Sequence, residues 1–176
     1  MRLRLAMLLR RMLVLVWPPW RRRLCIHEAG HALMACLTRV PYCEVTIDPF
    51  LEHGALGGLV GDKTKPATEQ WIVNRPEHES FMLTTAAGIA AEMEVFGEQL
   101  KEADVAGATP DLMQLQKIAE HFGTPGDDPV KYAGSKIRLA RELLQQNRAA
   151  LEAIARALSA RRRLSSEKVA EIVQRA

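Results

Sequence analysis

No stretch of the 176 residues reads Gly-x-x-x-x-Gly-Lys-[Ser/Thr], which excludes a Walker-type nucleotide site within them. No apolar run reaches the roughly 18 residues that a membrane-spanning helix needs. Cysteine is sparse: Cys25, Cys36 and Cys43 form an odd set without a Cys-x-x-Cys pair, a poor disulfide or zinc-finger framework. Small buried thiols in a reducing compartment are the expected reading. Internal repeats and low-complexity tracts are also missing. A chain of this length buries a real core, so neither a metal nor a disulfide is required merely to hold it together.

Acidic residues are absent from positions 1–23, where seven arginines gather: Arg2, Arg4, Arg10, Arg11, Arg21, Arg22 and Arg23. Those seven are drawn from 24 Lys and Arg, leaving 17 basic against 21 acidic residues in the rest, a net of −4. The overall +3 therefore describes an N-terminal arm and not the body. A nucleic-acid partner is not expected, because such proteins spread arginine over one face of a folded domain.

The expected division is an arm over 1–21 and a single domain over 22–176. Arg10 and Arg11 interrupt the arm's apolar stretch, and no small-residue cleavage site follows, which weighs against a signal peptide. With Trp17 and Trp20 beside its arginines, the arm reads either as a helix lying on an anionic membrane surface or as a disordered extension. The expected location is the cytoplasm, with a peripheral membrane contact only under the first of those two readings of the arm.

Pro18-Pro19 sets a helix boundary, and a helix is expected from about Arg22 to Thr38, with Leu24, Cys25, Ala29, Ala32, Leu33 and Cys36 as its apolar stripe. Glu44 to Asp48 alternates polar and apolar as a half-buried strand does. Ala55 to Val60 is a second strand candidate, its Gly57-Gly58 suggesting close backbone approach. Helices are then expected from Glu77 to Phe96, closed by Gly97, and from Thr109-Pro110-Asp111 to Phe122. One long helix from Asp128-Pro129 to about Arg161 and a short one capped by Ser165 complete the chain. The fold class is mostly α with a small β element.

The sharpest signal is His27-Glu28-Ala29-Gly30-His31. Four helical residues advance about 6 Å and turn about 400°, so both imidazoles leave one face. That spacing lets two nitrogens reach one Zn²⁺, while Glu28 stands beside the site as a proton acceptor. Small Ala29 and Gly30 would leave room for metal and substrate. A catalytic zinc usually has three protein ligands, and the candidates for the third are His53, His78, Glu92, Glu94, Asp104, Asp111 and His121. Asp111 lies where a capped helix would begin. Glu92 lies on a small-residue helix face, where a metal-bound histidine N–H would be a good partner.

The body resembles the zinc-peptidase domain of the FtsH family of ATP-dependent metalloproteases. The match runs through His27-Glu28-Ala29-Gly30-His31-Ala32-Leu33, Val45-Thr46-Ile47-Asp48-Pro49, Ala55-Leu56-Gly57-Gly58, Ala87-Gly88-Ile89-Ala90-Ala91-Glu92 and Gly107-Ala108-Thr109-Pro110-Asp111-Leu112. It ends in Asn147-Arg148 with Leu144, Leu151, Ile154 and Ala155. The resemblance implies His27, His31 and Asp111 as zinc ligands, Glu28 as catalytic base, and Glu92 as the carboxylate supporting a ligand histidine. The family has Asn where Pro110 stands. The family's ATPase module and membrane anchors have no counterpart here, so the expectation is a stand-alone peptidase. It would act on unfolded or flexible polypeptides, or with an ATPase unfoldase in trans. Because ring formation in that family rests on the ATPase, no oligomeric state is carried over.

The rival reading is a silent scaffold of the same fold. The apolar residues Leu139, Leu143, Leu144, Leu151, Ile154 and Leu158 of the long helix would serve assembly. An intact Glu28 argues against it, since a scaffold has no use for a proton acceptor beside the metal.

Overall fold

A computed structural model describes residues 18–48, 57–61, 75–97, 105–122 and 128–176. The arm before Pro18 lies outside the described residues. The first helix, α1, spans Pro18–Thr38, four residues earlier than expected. Proline in a first turn forfeits no intrahelical bond, so Pro18-Pro19 opens the helix and does not merely precede it. Every residue from Leu24 to Ala35 is buried. The expected one-sided stripe is thus replaced by a central helix, surrounded by other elements along that whole run.

Strands β1 (Glu44–Thr46) and β2 (Gly58–Val60) follow. Helices α2 (Arg75–Phe96), α3 (Val105–Phe122), α4 (Pro129–Gln146) and α5 (Arg148–Arg161) come next, then β3 (Arg163–Ser165) and α6 (Ser166–Arg175). The mostly helical fold with a small antiparallel sheet matches the expected class. The sheet order is β2-β1-β3, with Val45 opposite Leu59 on one side and Leu164 on the other. Val45, Ile47 and Leu164 enter the core.

Strand β3 was not foreseen, because three residues are too few to show a period. It is set up by Arg162, which ends α5 in the left-handed region at φ 66° and turns the chain onto β1. Asp48 then pairs with Arg162 at 3.0 Å and Arg163 at 2.7 Å.

The expected single helix over 129–161 is broken at Asn147, whose φ of −113° is not helical. Its side-chain amide donates to the Leu143 carbonyl at 2.8 Å, the local bonding by which asparagine competes with a helix. The apolar rhythm Ile137, Ala140, Leu144, Leu151, Ile154, Leu158 runs through the break without a change of spacing. Periodicity therefore could not reveal it.

Helix α3 starts at Val105, so Thr109 is not its cap and Asp111 falls in its second turn, a correction to the expected start. The cap signals elsewhere hold. Asp128 accepts from the Val130 N–H at 2.9 Å, Ser165 accepts from the Lys168 N–H at 3.3 Å, and Gly97 takes φ 69° after α2. Cysteine burial is mixed: Cys25 is buried, Cys36 half-buried and Cys43 exposed. Burial pushes the Cys25 thiol up to about 11, so it is an inert core group.

Candidate metal centre

Helices α1 and α2 cross antiparallel and face each other through residues spaced by four. On α2 these are Thr84, Gly88, Glu92 and Phe96; on α1 they are His31, His27 and Arg23. Close approach is possible because Gly30 has no side chain. A Cβ there would lie 2.4 Å from the Ala87 carbonyl oxygen and 2.7 Å from the Ala91 Cβ. Gly30 therefore makes room for the backbone of α2, and not for metal and substrate as its place in the motif suggested. The residue that leaves space at the imidazoles is Gly88, where a Cβ would lie 2.5 Å from both His27 Nε2 and His31 Nε2.

The two rings stand at 78° to one another with Nε2 atoms 3.1 Å apart. Each is fixed from behind by α2. His31 Nδ1 donates to the Thr84 carbonyl at 2.7 Å, and His27 Nδ1 donates to Glu92 Oε1 at 2.7 Å. A carbonyl only accepts, so the His31 proton sits on Nδ1 and its neutral ring presents a lone pair at Nε2. Glu92 imposes the same tautomer on His27. From α3, Asp111 Oδ2 approaches to 3.0 Å from His27 Nε2 and 3.2 Å from His31 Nε2.

Three Lewis-basic atoms thus converge on one point, and the buried Asp111 Oδ2 has no hydrogen-bond donor of its own. Two imidazoles and a carboxylate suit Zn²⁺, so the residues fit the ion. Among the described residues, His27, His31 and Asp111 are the one such group. Burial works against charged imidazoles, but Asp111 and Glu92 outweigh it at His27, which is raised well above the ordinary range. His31 is raised as well, burial again being outweighed by Asp111. Burial likewise opposes the Asp111 carboxylate, yet the two histidines hold it well below the usual range.

Glu28 adjoins His27 in sequence and is 4% exposed. A Cβ on Gly57 would lie 2.7 Å from Glu28 Oε1 and 2.7 Å from the Thr46 carbonyl oxygen. The bare backbone just before β2 therefore runs beside this carboxylate, as the expected close approach requires. Glu28 Oε2 is buried without a hydrogen-bond partner, and burial raises its carboxyl above the ordinary range.

The remaining candidates part company here. Glu94 ties α2 to α4 and α5 through Arg141 at 3.1 Å and Arg148 at 3.0 Å. His78 is half-buried near the start of α2 and is no member of the group. His53, Asp104 and the side chain of His121 lie outside the described residues. Sequence reasoning missed the Thr84 carbonyl, Gly88 as the gap, and Arg23, whose Nε donates to Glu92 Oε2 at 2.5 Å.

No protein-family model matches the chain. Curated proteins do. A protein named ATP-dependent zinc metalloprotease FtsH 2 from Symbiobacterium thermophilum is 36% identical over 110 residues, 61% of this chain. One of the same name from Bdellovibrio bacteriovorus is 32% identical over 98 residues, 56% of this chain. Its relatives are FtsH zinc metalloproteases. The chloroplastic FTSH 1 of Oryza sativa adds 33% identity over 110 residues. The chain spans only 17% of the length of the first FtsH relative and 15% of the other two. No helix among the described residues is long and apolar enough to cross a membrane.

Proposed function

We propose that this chain is a zinc-dependent metalloendopeptidase unit that hydrolyses peptide bonds in unfolded or flexible polypeptides. The observation that carries the reading is the convergence of His27 Nε2, His31 Nε2 and Asp111 Oδ2, each ring held in the metal-binding tautomer, with Glu28 at their side.

His27, His31 and Asp111 would hold the ion. Zinc bound there supplies Lewis acidity, polarising a peptide carbonyl and bringing the pKa of a water toward neutrality. Glu28 accepts the proton from the attacking water and returns it to the leaving amine nitrogen. Its burial makes the carboxylate a stronger base than one in water, and an orphaned Oε2 is free to take that proton. Glu92 and the Thr84 carbonyl keep both rings from turning or swapping tautomer. Gly57 borders Glu28, and β2 ends the described sheet order, so an extended substrate strand would add along β2 with its carbonyl toward the site. Folded substrates would need an ATPase unfoldase acting in trans.

The test pairs metal analysis of the purified protein with casein hydrolysis by wild type and Glu28→Gln. Zinc-dependent cleavage that falls by about 10²–10⁴-fold in the variant, with zinc retained, supports the reading. Zinc present with equal background cleavage in both would favour the silent scaffold.

A further inference from the structure

Arg23 lies one turn before His27 on the same face of α1 and donates from Nε to Glu92 Oε2 at 2.5 Å. The other oxygen of Glu92 accepts from His27 Nδ1 at 2.7 Å. Glu92, 3% exposed, is thus a bridge with a guanidinium on one oxygen and a ring N–H on the other. A buried carboxylate with one oxygen unpaired would be free to rotate, and would carry its charge against the His27–Asp111 contact. The guanidinium removes both freedoms, because it is permanently charged and bonds in a fixed plane. Arg23 is itself held: its guanidinium carbon lies 5.2 Å from the centroid of the Phe96 ring, one turn beyond Glu92 on α2. An i, i+4 pair on α1, Arg23 and His27, therefore interlocks with an i, i+4 pair on α2, Glu92 and Phe96.

We propose that Arg23 is a positioning residue of the metal centre, which locks Glu92 so that His27 presents Nε2, and nothing else, to the ion. The proposal rests on the zinc-peptidase reading, and two measurements separate their fates.

The first is zinc affinity by chelator competition, with apo-protein Tm measured alongside to exclude simple unfolding. Arg23→Met should weaken zinc binding by about 10–100-fold, the usual effect of losing such a supporting contact, and Arg23→Lys should recover part of it. In a Glu92→Gln background, Arg23→Met should weaken it no further, because the route through Glu92 is already broken. The second is NMR of the His27 Nδ1–H proton in zinc-free protein. It should be a downfield, slowly exchanging resonance in wild type, and should broaden into water exchange in Arg23→Met. Unchanged zinc affinity and ring resonance in Arg23→Met would overturn the proposal, as would an equal loss in both backgrounds. Wild-type protein that binds no zinc would defeat the peptidase reading, while the ring resonance still decides the role of Arg23.

Discussion

Gly88 faces His27 so closely that a single added carbon would lie 2.5 Å from its Nε2, and equally from that of His31. The Gly88→Ala substitution gains up to about 1 kcal/mol of helix propensity, yet it must push both rings off their common point. Zinc affinity is expected to fall by more than about tenfold, with helicity by circular dichroism unchanged. Undiminished zinc binding in Gly88→Ala would mean that the rings can shift without losing the ion, against this account.

Gly30 tests the opposite property. A methyl there meets the Ala87 carbonyl oxygen at 2.4 Å, and main chain cannot step aside as a flexible side chain can. Gly30→Ala should destabilise the fold by about 1–3 kcal/mol in urea titration, in zinc-free and zinc-loaded protein alike. A loss confined to zinc-loaded protein would return Gly30 to the role its place in the motif first suggested.

Asp111 and Glu92 are both carboxylates near His27, but they meet different nitrogens. Asp111 Oδ2 faces Nε2, and Glu92 Oε1 faces Nδ1. Asp111→Ala should abolish tight zinc binding, whereas Glu92→Ala should weaken it by about 10–100-fold. The reverse order, read by metal content after dialysis, would assign the third ligand to Glu92.

Stability against pH should change shape with metal. In zinc-free protein His27 and His31 are raised, so their contribution is complete below about pH 6.5 and is lost as pH climbs through the folded values. Asp111 is lowered, so its contribution is present above about pH 3.9 and is lost on acidification below that. Glu28 is raised, so burying its charge works against the fold once pH exceeds about 4.3. Melting temperatures in a chelator should therefore peak between about pH 4 and 6.5 and decline toward pH 9. Zinc requires neutral rings, so the loaded protein should hold its melting temperature through that decline and lose zinc on acidification. A flat zinc-free profile from pH 6 to 9 would contradict the raised histidines.

What the sequence disclosed followed how far each signal reaches along the chain. His27 and His31 lie one helical turn apart with Glu28 next to His27, so the common face of the two imidazoles is legible from spacing alone. Asp111 and Glu92 lie 84 and 65 residues from His27, and no local pattern joins them; their local settings make them two candidates among seven, and the family resemblance singles them out. Arg23 was hidden among its neighbours, since Arg21 and Arg22 made it look like part of a basic arm. The Thr84 contact is invisible in principle, being made by main chain. Gly30 and Gly88 are both glycines inside helices, and only the crossing of α1 and α2 tells which one spares the backbone and which the rings. The local cap signals at Asp128, Ser165 and Gly97 hold, whereas the one at Thr109 does not, because the helix begins earlier, at Val105. The break at Asn147 is hidden because the apolar spacing runs through it unchanged, and the three-residue β3 because its partner β1 lies far away in sequence.

The most direct measurement is anomalous diffraction at the zinc edge from crystals grown with zinc. The account predicts one strong peak at about 2.0–2.2 Å from His27 Nε2, His31 Nε2 and an Asp111 carboxylate oxygen, with Glu28 alongside and not coordinating. A zinc-saturated crystal with no peak between the two imidazoles would contradict it.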